Sequence, residues 1–210
     1  MNQLETAGRI NHVGREFTPF EIGKRFCIYP EKYQQVDNDR INIIMAAGAF
    51  GSGEHETTAC CLEILENLEQ IKGASILDLG SGTGILSIAA LTLGAKSALC
   101  VDIDPAAVTT CQRNCELNHV SQRVEHLCGT LDQVKESDFD LILGNIYGDI
   151  LLDVAQDLVE KGKAGAPLLL SGILYEYNFD IRQRYKRLGC QVVSNTMLDE
   201  FSTVLLNKNL

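Results

Sequence analysis

The sequence predicts an α/β protein: a doubly wound, mostly parallel, seven-stranded sheet ending in an antiparallel hairpin. Three observations predict it. From Ser75 onward, short apolar runs alternate with helix-length segments, the pattern of parallel strands joined by crossover helices. Those runs are nearly continuous in Leu, Ile and Val, which marks strands covered on both faces. The last two runs, CQVVSNTML and FSTVLLNK, are separated only by Asp199 and Glu200, a link short enough to force antiparallel pairing.

Taken in order, the first 24 residues are polar and irregular. FCIYPE and INIIMAA follow as short strands flanking the polar turn VDNDR. From Glu54 to about Gln70, Cys61, Leu62, Leu65 and Leu68 recur at helical spacing. SILDLG is a strand, ILSIAALTLG a helix stopped by Gly94, and SALCVDID a strand. Asp104 is placed to cap the next helix, with Pro105 at its first position and an end near Asn118. RVEHLC and FDLILGNI are strands, Gly148 to Lys161 one helix, APLLLSGI a strand, and Tyr175 to Leu188 a helix closed by Gly189. The expected organisation is an N-terminal linker with short strands packed on the main domain over residues 1–47, and the main domain over 48–210.

Composition narrows the function classes. A net charge of −10, with no Lys/Arg block, disfavours nucleic acid and anionic membrane as direct partners. No signal peptide and no apolar run near membrane-spanning length is evident, so the expected location is the cytoplasm. The eight cysteines include no Cys-x-x-Cys pair, and they read as reduced, mostly buried thiols. Cys111 and Cys115 share a helix face and read as core or partly exposed thiols. No metal site is expected.

Two glycine-rich turns carry the chemistry. DLGSGTG lies where the first main-domain strand enters its helix, at the carboxyl edge where open parallel sheets bind ligands. Gly80, Gly82 and Gly84 allow a tight turn and a close backbone approach, although purely structural glycines have the same appearance. Asp102 ends the next strand, where a carboxylate can accept both hydroxyls of a ribose; the combination points to a nucleoside-containing cofactor. The dinucleotide fingerprint requires G-x-G-x-x-G; here position 85 is Ile, which disfavours a nicotinamide oxidoreductase. At the end of FDLILGNI, Asn145 is placed either to orient an acceptor amine or to cap the following helix, and the sequence leaves both roles open.

G-x-G-x-G preceded by Asp78 resembles the first motif of class I S-adenosylmethionine-dependent methyltransferases, whose Rossmann-like sheet also ends in an antiparallel strand. Together with AFGSGEHETT, VDIDPAAV, the Asn-Ile strand end and LSGIL, it resembles the PrmA family from about Arg15 to the end. That family methylates amino groups on a protein of the large ribosomal subunit. The resemblance implies that the first turn, Gly48 to Thr58, folds over the cofactor as a lid, with Thr58 touching it. It places further cofactor contacts at Gly80, Asp102 and Asn145, beside Gly82 and Gly84 of the turn, and makes Asn145 the candidate catalytic residue. His55 is either catalytic or loop-stabilising. Two departures stand out. The chain is expected to lack the family's N-terminal recognition domain. Ser81 and Tyr147 replace the usual Cys and Leu. The expected function is S-adenosylmethionine-dependent N-methylation of a protein, with a ribosomal protein as the leading acceptor. A different protein or small-molecule acceptor, and a non-catalytic cofactor-binding module, are the rivals.

Overall fold

A computed structural model describes residues 18–35, 39–46 and 54–209 of the chain. The seven-stranded sheet is built from β4 (Ser75–Leu79), β5 (Ser97–Asp102), β6 (Val124–Cys128), β7 (Leu141–Asn145), β8 (Pro167–Leu174), β9 (Cys190–Met197) and β10 (Phe201–Lys208), in the order β6-β5-β4-β7-β8-β10-β9. The first five run parallel to one another. β10 slots between β8 and β9 and runs antiparallel to both.

Helices cover both faces. On one, α1 (Glu56–Leu65), α2 (Ile85–Thr92) and α3 (Pro105–Leu117) close a core that includes Leu62, Ile88, Ile76 and Leu143. On the other, α4 (Gly148–Asp153), α5 (Ala155–Lys161) and α6 (Tyr175–Arg187) cover Leu77, Ile142 and Leu168 with Leu151, Leu158 and Ile181. Every residue of α2 from Ile85 to Leu91 is buried, which fixes the helix that leaves the glycine turn. Among the described residues, no helix is long and apolar enough to cross a membrane.

A second, three-stranded sheet comprises β1 (Phe20–Ile22), β2 (Phe26–Pro30) and β3 (Ile41–Met45). β1 lies within the stretch expected to be irregular; three residues carry too little periodicity to reveal a strand whose partner is β2. β2 and β3 are consecutive yet pair in parallel. α3 and its C-cap residue hold β3 through two amides: Asn118, the cap, accepts from the Ile44 N–H at 2.8 Å and donates to the Ile44 carbonyl, while Asn114 accepts from the N–H of Ala46, just past the strand, at 2.8 Å. Phe26, Ile28, Ile43 and Met45 share the core of the α1–α3 face. The expected division between 47 and 48 lies outside the described residues.

The stretch expected to form one helix from Gly148 to Lys161 is two, broken at Val154 (φ −89°, ψ 4°). Tyr185 of α6, fully buried, donates its hydroxyl to the Leu151 carbonyl at 2.9 Å. A side chain that inserts into the carbonyl ladder is an established cause of such breaks, and nothing local in the sequence signals it.

Asp104 caps α3: its Oδ1 accepts from the Ala106 N–H at 2.8 Å, with Pro105 at the first helical position. Asp104→Ala is expected to lower unfolding free energy by about 1 kcal/mol in urea denaturation, with ligand affinity intact. A variant that retained full stability would show that Pro105 alone sets the helix start.

Candidate functional site

The carboxyl ends of β4, β5 and β7 meet at one edge, and the glycine turn 80–84 closes it. The turn folds back on β5: the N–H groups of Gly80 and Ser81 both donate to the Val101 carbonyl, at 2.8 and 3.0 Å. Gly80 and Gly84 sit at φ 69° and 78°, a region that L-residues with a Cβ rarely adopt. Space forbids a side chain as well. A Cβ on Gly80 would lie 2.1 Å from Ile146 Cγ2, and one on Gly84 2.4 Å from Cys111 Sγ. The turn is therefore seated against the end of β7 on one side and against α3 on the other.

Asp102 is aimed by backbone rather than by other side chains. Its Oδ2 accepts from the Gly82 N–H at 2.8 Å and its Oδ1 from the Asp104 N–H at 3.0 Å. The two acids of VDID thus have separate tasks: Asp102 faces the turn, and Asp104 caps α3. Each oxygen of Asp102 retains acceptor capacity, so the carboxylate can take two further donors side by side.

Asn145 ends β7, and its Nδ2 donates to Thr58 Oγ1 at 3.3 Å. This contact joins residues far apart in sequence and brings the first turn of α1 to the same edge as the glycine turn. The helix-cap alternative finds no bond here, since α4 begins with Tyr147 in the cap position and no side-chain cap. Among the described residues no donor meets Asn145 Oδ1. The strand end is clamped: Ile146 donates its N–H to the Ser171 carbonyl at 3.1 Å, and a Cβ on Gly172 would lie 2.7 Å from the Ile146 carbonyl oxygen. Ile146 is thus held between Gly80 and Gly172, and this grip sets where Asn145 points.

His55 makes the contacts of a cap. Its Nδ1 accepts from the Thr57 N–H at 3.3 Å and lies 2.8 Å from Thr57 Oγ1, and its ring packs edge-on to Phe201 at 5.2 Å. Residues 48–53, most of the expected lid, lie outside the described residues.

Beneath the turn, Asp78 is buried and accepts from Ser87 Oγ at 2.6 Å. Burial raises its carboxyl from 3.8 to about 6, with Ser87 opposing the rise and the Asp102 charge adding to it. The folded chain holds this proton more tightly than the unfolded chain does. Asp78 therefore favours folding at low pH, and that contribution is lost as pH rises from 3.8 to about 6. Relative to the parent, an Asp78→Asn variant is expected to gain stability across that interval, measured by denaturation at each pH. A difference that stays flat with pH would remove Asp78 from the titration.

Sequence reasoning missed several positioning residues. Asn114, wholly buried, donates to the Thr83 carbonyl at 2.9 Å and ties the glycine turn to β3. Gly172 and Ile146 were legible only as part of longer motifs. Ser81 Oγ is buried and has no partner among the described residues, which leaves one polar atom inside the turn for a ligand.

The chain is similar to known proteins over nearly its whole length. A family model described as ribosomal protein L11 methyltransferase (PrmA) matches residues 2–209. A protein of that name from Trichlorobacter lovleyi is 42% identical over 176 residues, covering 80% of this chain and 57% of the relative. Another from Aeromonas hydrophila is 37% identical over 175 residues, covering 83% and 59%. The chain therefore spans somewhat more than half the length of the curated relatives it matches. A crystal structure of a ribosomal protein L11 methylase from Lactobacillus delbrueckii subsp. bulgaricus superposes with a TM-score of 0.83 at 28% identity, covering 93% of this chain and 100% of that one. The seven-stranded order, the seated glycine turn and the Thr58–Asn145 contact thus occur in a chain that belongs to the ribosomal protein L11 methyltransferase (PrmA) family.

Proposed function

We propose that this chain binds S-adenosylmethionine at the 80–84 turn and transfers its methyl group to an amino group of a protein, with a large-subunit ribosomal protein as the acceptor. The observation that carries the reading is the convergence at one sheet edge of Asp102, held by the Gly82 N–H, and of Asn145, held against Thr58, in a chain of this family. The residues present fit the cofactor. The turn is a cradle that a Cβ at Gly80 or Gly84 would fill, Ser81 Oγ awaits a partner, and Asp102 offers paired acceptors for two ribose hydroxyls.

The cofactor supplies an electrophilic methyl group, so the protein has to bind, orient and exclude water. Asn145 Oδ1 accepts from the acceptor nitrogen and aims its lone pair, while Thr58 fixes the amide. The amine must be neutral to attack; a lysine amine is ordinarily protonated, with a pKa near 10.4, and leaving water for the pocket lowers it. Tyr147, 66% exposed next to Asn145, lines the approach of the acceptor. The net charge of −10 argues against nucleic acid as that acceptor. All seven buried cysteines and the exposed Cys128 are free thiols, which supports a reducing, cytoplasmic setting.

Asp102→Ala is expected to weaken S-adenosylmethionine binding by roughly 1–3 kcal/mol in isothermal titration. Unchanged affinity would take the ribose off Asp102. For the reaction itself, labelled cofactor is incubated with purified L11 protein, with a ribosome-containing lysate and with a ribosome-depleted one. Label in L11 supports the proposal. Label confined to other proteins or small molecules would replace the acceptor, and binding of NAD in place of S-adenosylmethionine would replace the function.

A further inference from the structure

Behind the glycine turn, the fold collects ligand-type side chains that the function above does not use. Cys100 of β5 stands opposite His126 of β6 in the strand register, so both project from the same face of the sheet. α3 lies over that face with Cys111 and Cys115 one turn apart, both fully buried. The sulfurs of Cys100 and Cys111 and a ring nitrogen of His126 all lie within 4.8 Å of one another. His126 Nδ1 is shut off from solvent and has no partner among the described residues, an arrangement that costs free energy unless something binds there.

We propose that Cys100, Cys111 and His126, with Cys115 as fourth ligand, form a structural site for one zinc-class cation. Three thiols and an imidazole are a donor set that selects such ions. Tetrahedral zinc, with bonds of about 2.3 Å to sulfur and about 2.0 Å to nitrogen, spaces such donors roughly 3.5–3.8 Å apart, so binding draws together any of the three that lie near the 4.8 Å limit. Each coordinating thiol releases its proton to solvent and His126 binds through a neutral ring nitrogen, so three protons leave per ion. Cys115 adjoins both Cys111 and His126, which places a third thiol beside the cluster. An outer layer is also present, as Ser87 Oγ lies 3.2 Å from Cys100 Sγ and is bonded to Asp78. Half-exposed His126 provides the entry path. Because Cys111 Sγ touches the position that a Gly84 side chain would occupy, the ion would brace the cofactor cradle from behind.

The test uses the reduced full chain and cobalt(II) as a spectroscopic stand-in for zinc. The expected result is a sulfur-to-cobalt charge-transfer band that saturates at one equivalent, is displaced by zinc, and accompanies proton release in weak buffer. Cys111→Ser and His126→Gln are each expected to weaken zinc binding by more than the 10–100-fold that outer-layer partners carry, whereas Cys190→Ser, on the other face of the sheet, leaves it unchanged. If Cys111→Ser does not fold, His126→Gln at its half-exposed position decides. Absence of the band, or a band that survives His126→Gln, overturns the site.

Discussion

Gly84→Ala is expected to lower unfolding free energy by about 2–6 kcal/mol and to abolish binding of S-adenosylmethionine. Two costs combine. A left-handed conformation in a residue with a Cβ costs on the order of 1–3 kcal/mol, and Gly84 sits at φ 78°. Crowding a packed site adds typically 1–3 kcal/mol, and the new Cβ would lie 2.4 Å from Cys111 Sγ. Cys111 cannot swing aside, because it is short and fully buried, and its own Cβ stands 3.5 Å from the same point. The turn must therefore lift away from α3, carrying with it the Gly82 N–H that aims Asp102. Gly73→Ala is the control, since Gly73 shares φ 78° but a Cβ there meets nothing within 4 Å. Chemical denaturation and calorimetric titration on both variants measure the effect. Equal losses for the two would reduce the prediction to backbone strain alone and leave the contact with Cys111 without consequence.

Asn145→Ala is expected to reduce methyl transfer roughly a hundredfold, the scale on which a misplaced reacting group loses rate, while cofactor affinity changes far less. The amide is held at one end by Thr58 and has its other end free among the described residues. Truncation removes the acceptor that aims the amine but leaves Asp102 and the glycine turn as they were. Melting temperature should stay near the parent value, because Asn145 caps no helix. Turnover, affinity and melting are to be measured on one preparation. Normal turnover by a folded variant would take Asn145 out of the mechanism and direct attention to the lid.

Most of the large sheet was legible because parallel strands buried on both faces write their burial directly into sequence: SILDLG, FDLILGNI and APLLLSGI need no partner to be recognised. The Asp104–Pro105 helix start was legible for a similar reason, since capping is settled within a few residues. What escaped notice depends on distant partners. β1 exists because β2 accepts it, and the break at Val154 goes with a hydroxyl from α6. The parallel pairing of β2 and β3 is supported by two amides of α3 and its C-cap residue. The site divides in the same way. Gly80, Gly82, Gly84 and Asp102 follow from local spacing, Asn145 from its place at a strand end as well as from the family resemblance, and Thr58 from that resemblance alone. The bond between those two, the clamp on Ile146 and the meeting of Cys100, Cys111 and His126 arise from sheet order and register, which no window of sequence contains.

The placement of β10 has a consequence for how the molecule is made. β8 and β9 do not touch as strands: β8 is paired with β7 on its other side, whereas β9 reaches the sheet only through β10, which is synthesised after both. While the chain emerges residue by residue, β8 presents a bare edge and β9 has no place in the sheet, although the glycine turn, β5 and β7 are already complete. Zippering of Phe201–Lys208 into that slot forms two ladders in one event and seals Val204 and Leu206 into the core. Until Phe201–Lys208 is in place, the free edge of β8 is open to strand-edge mispairing, so β10 is the keystone of this side of the sheet.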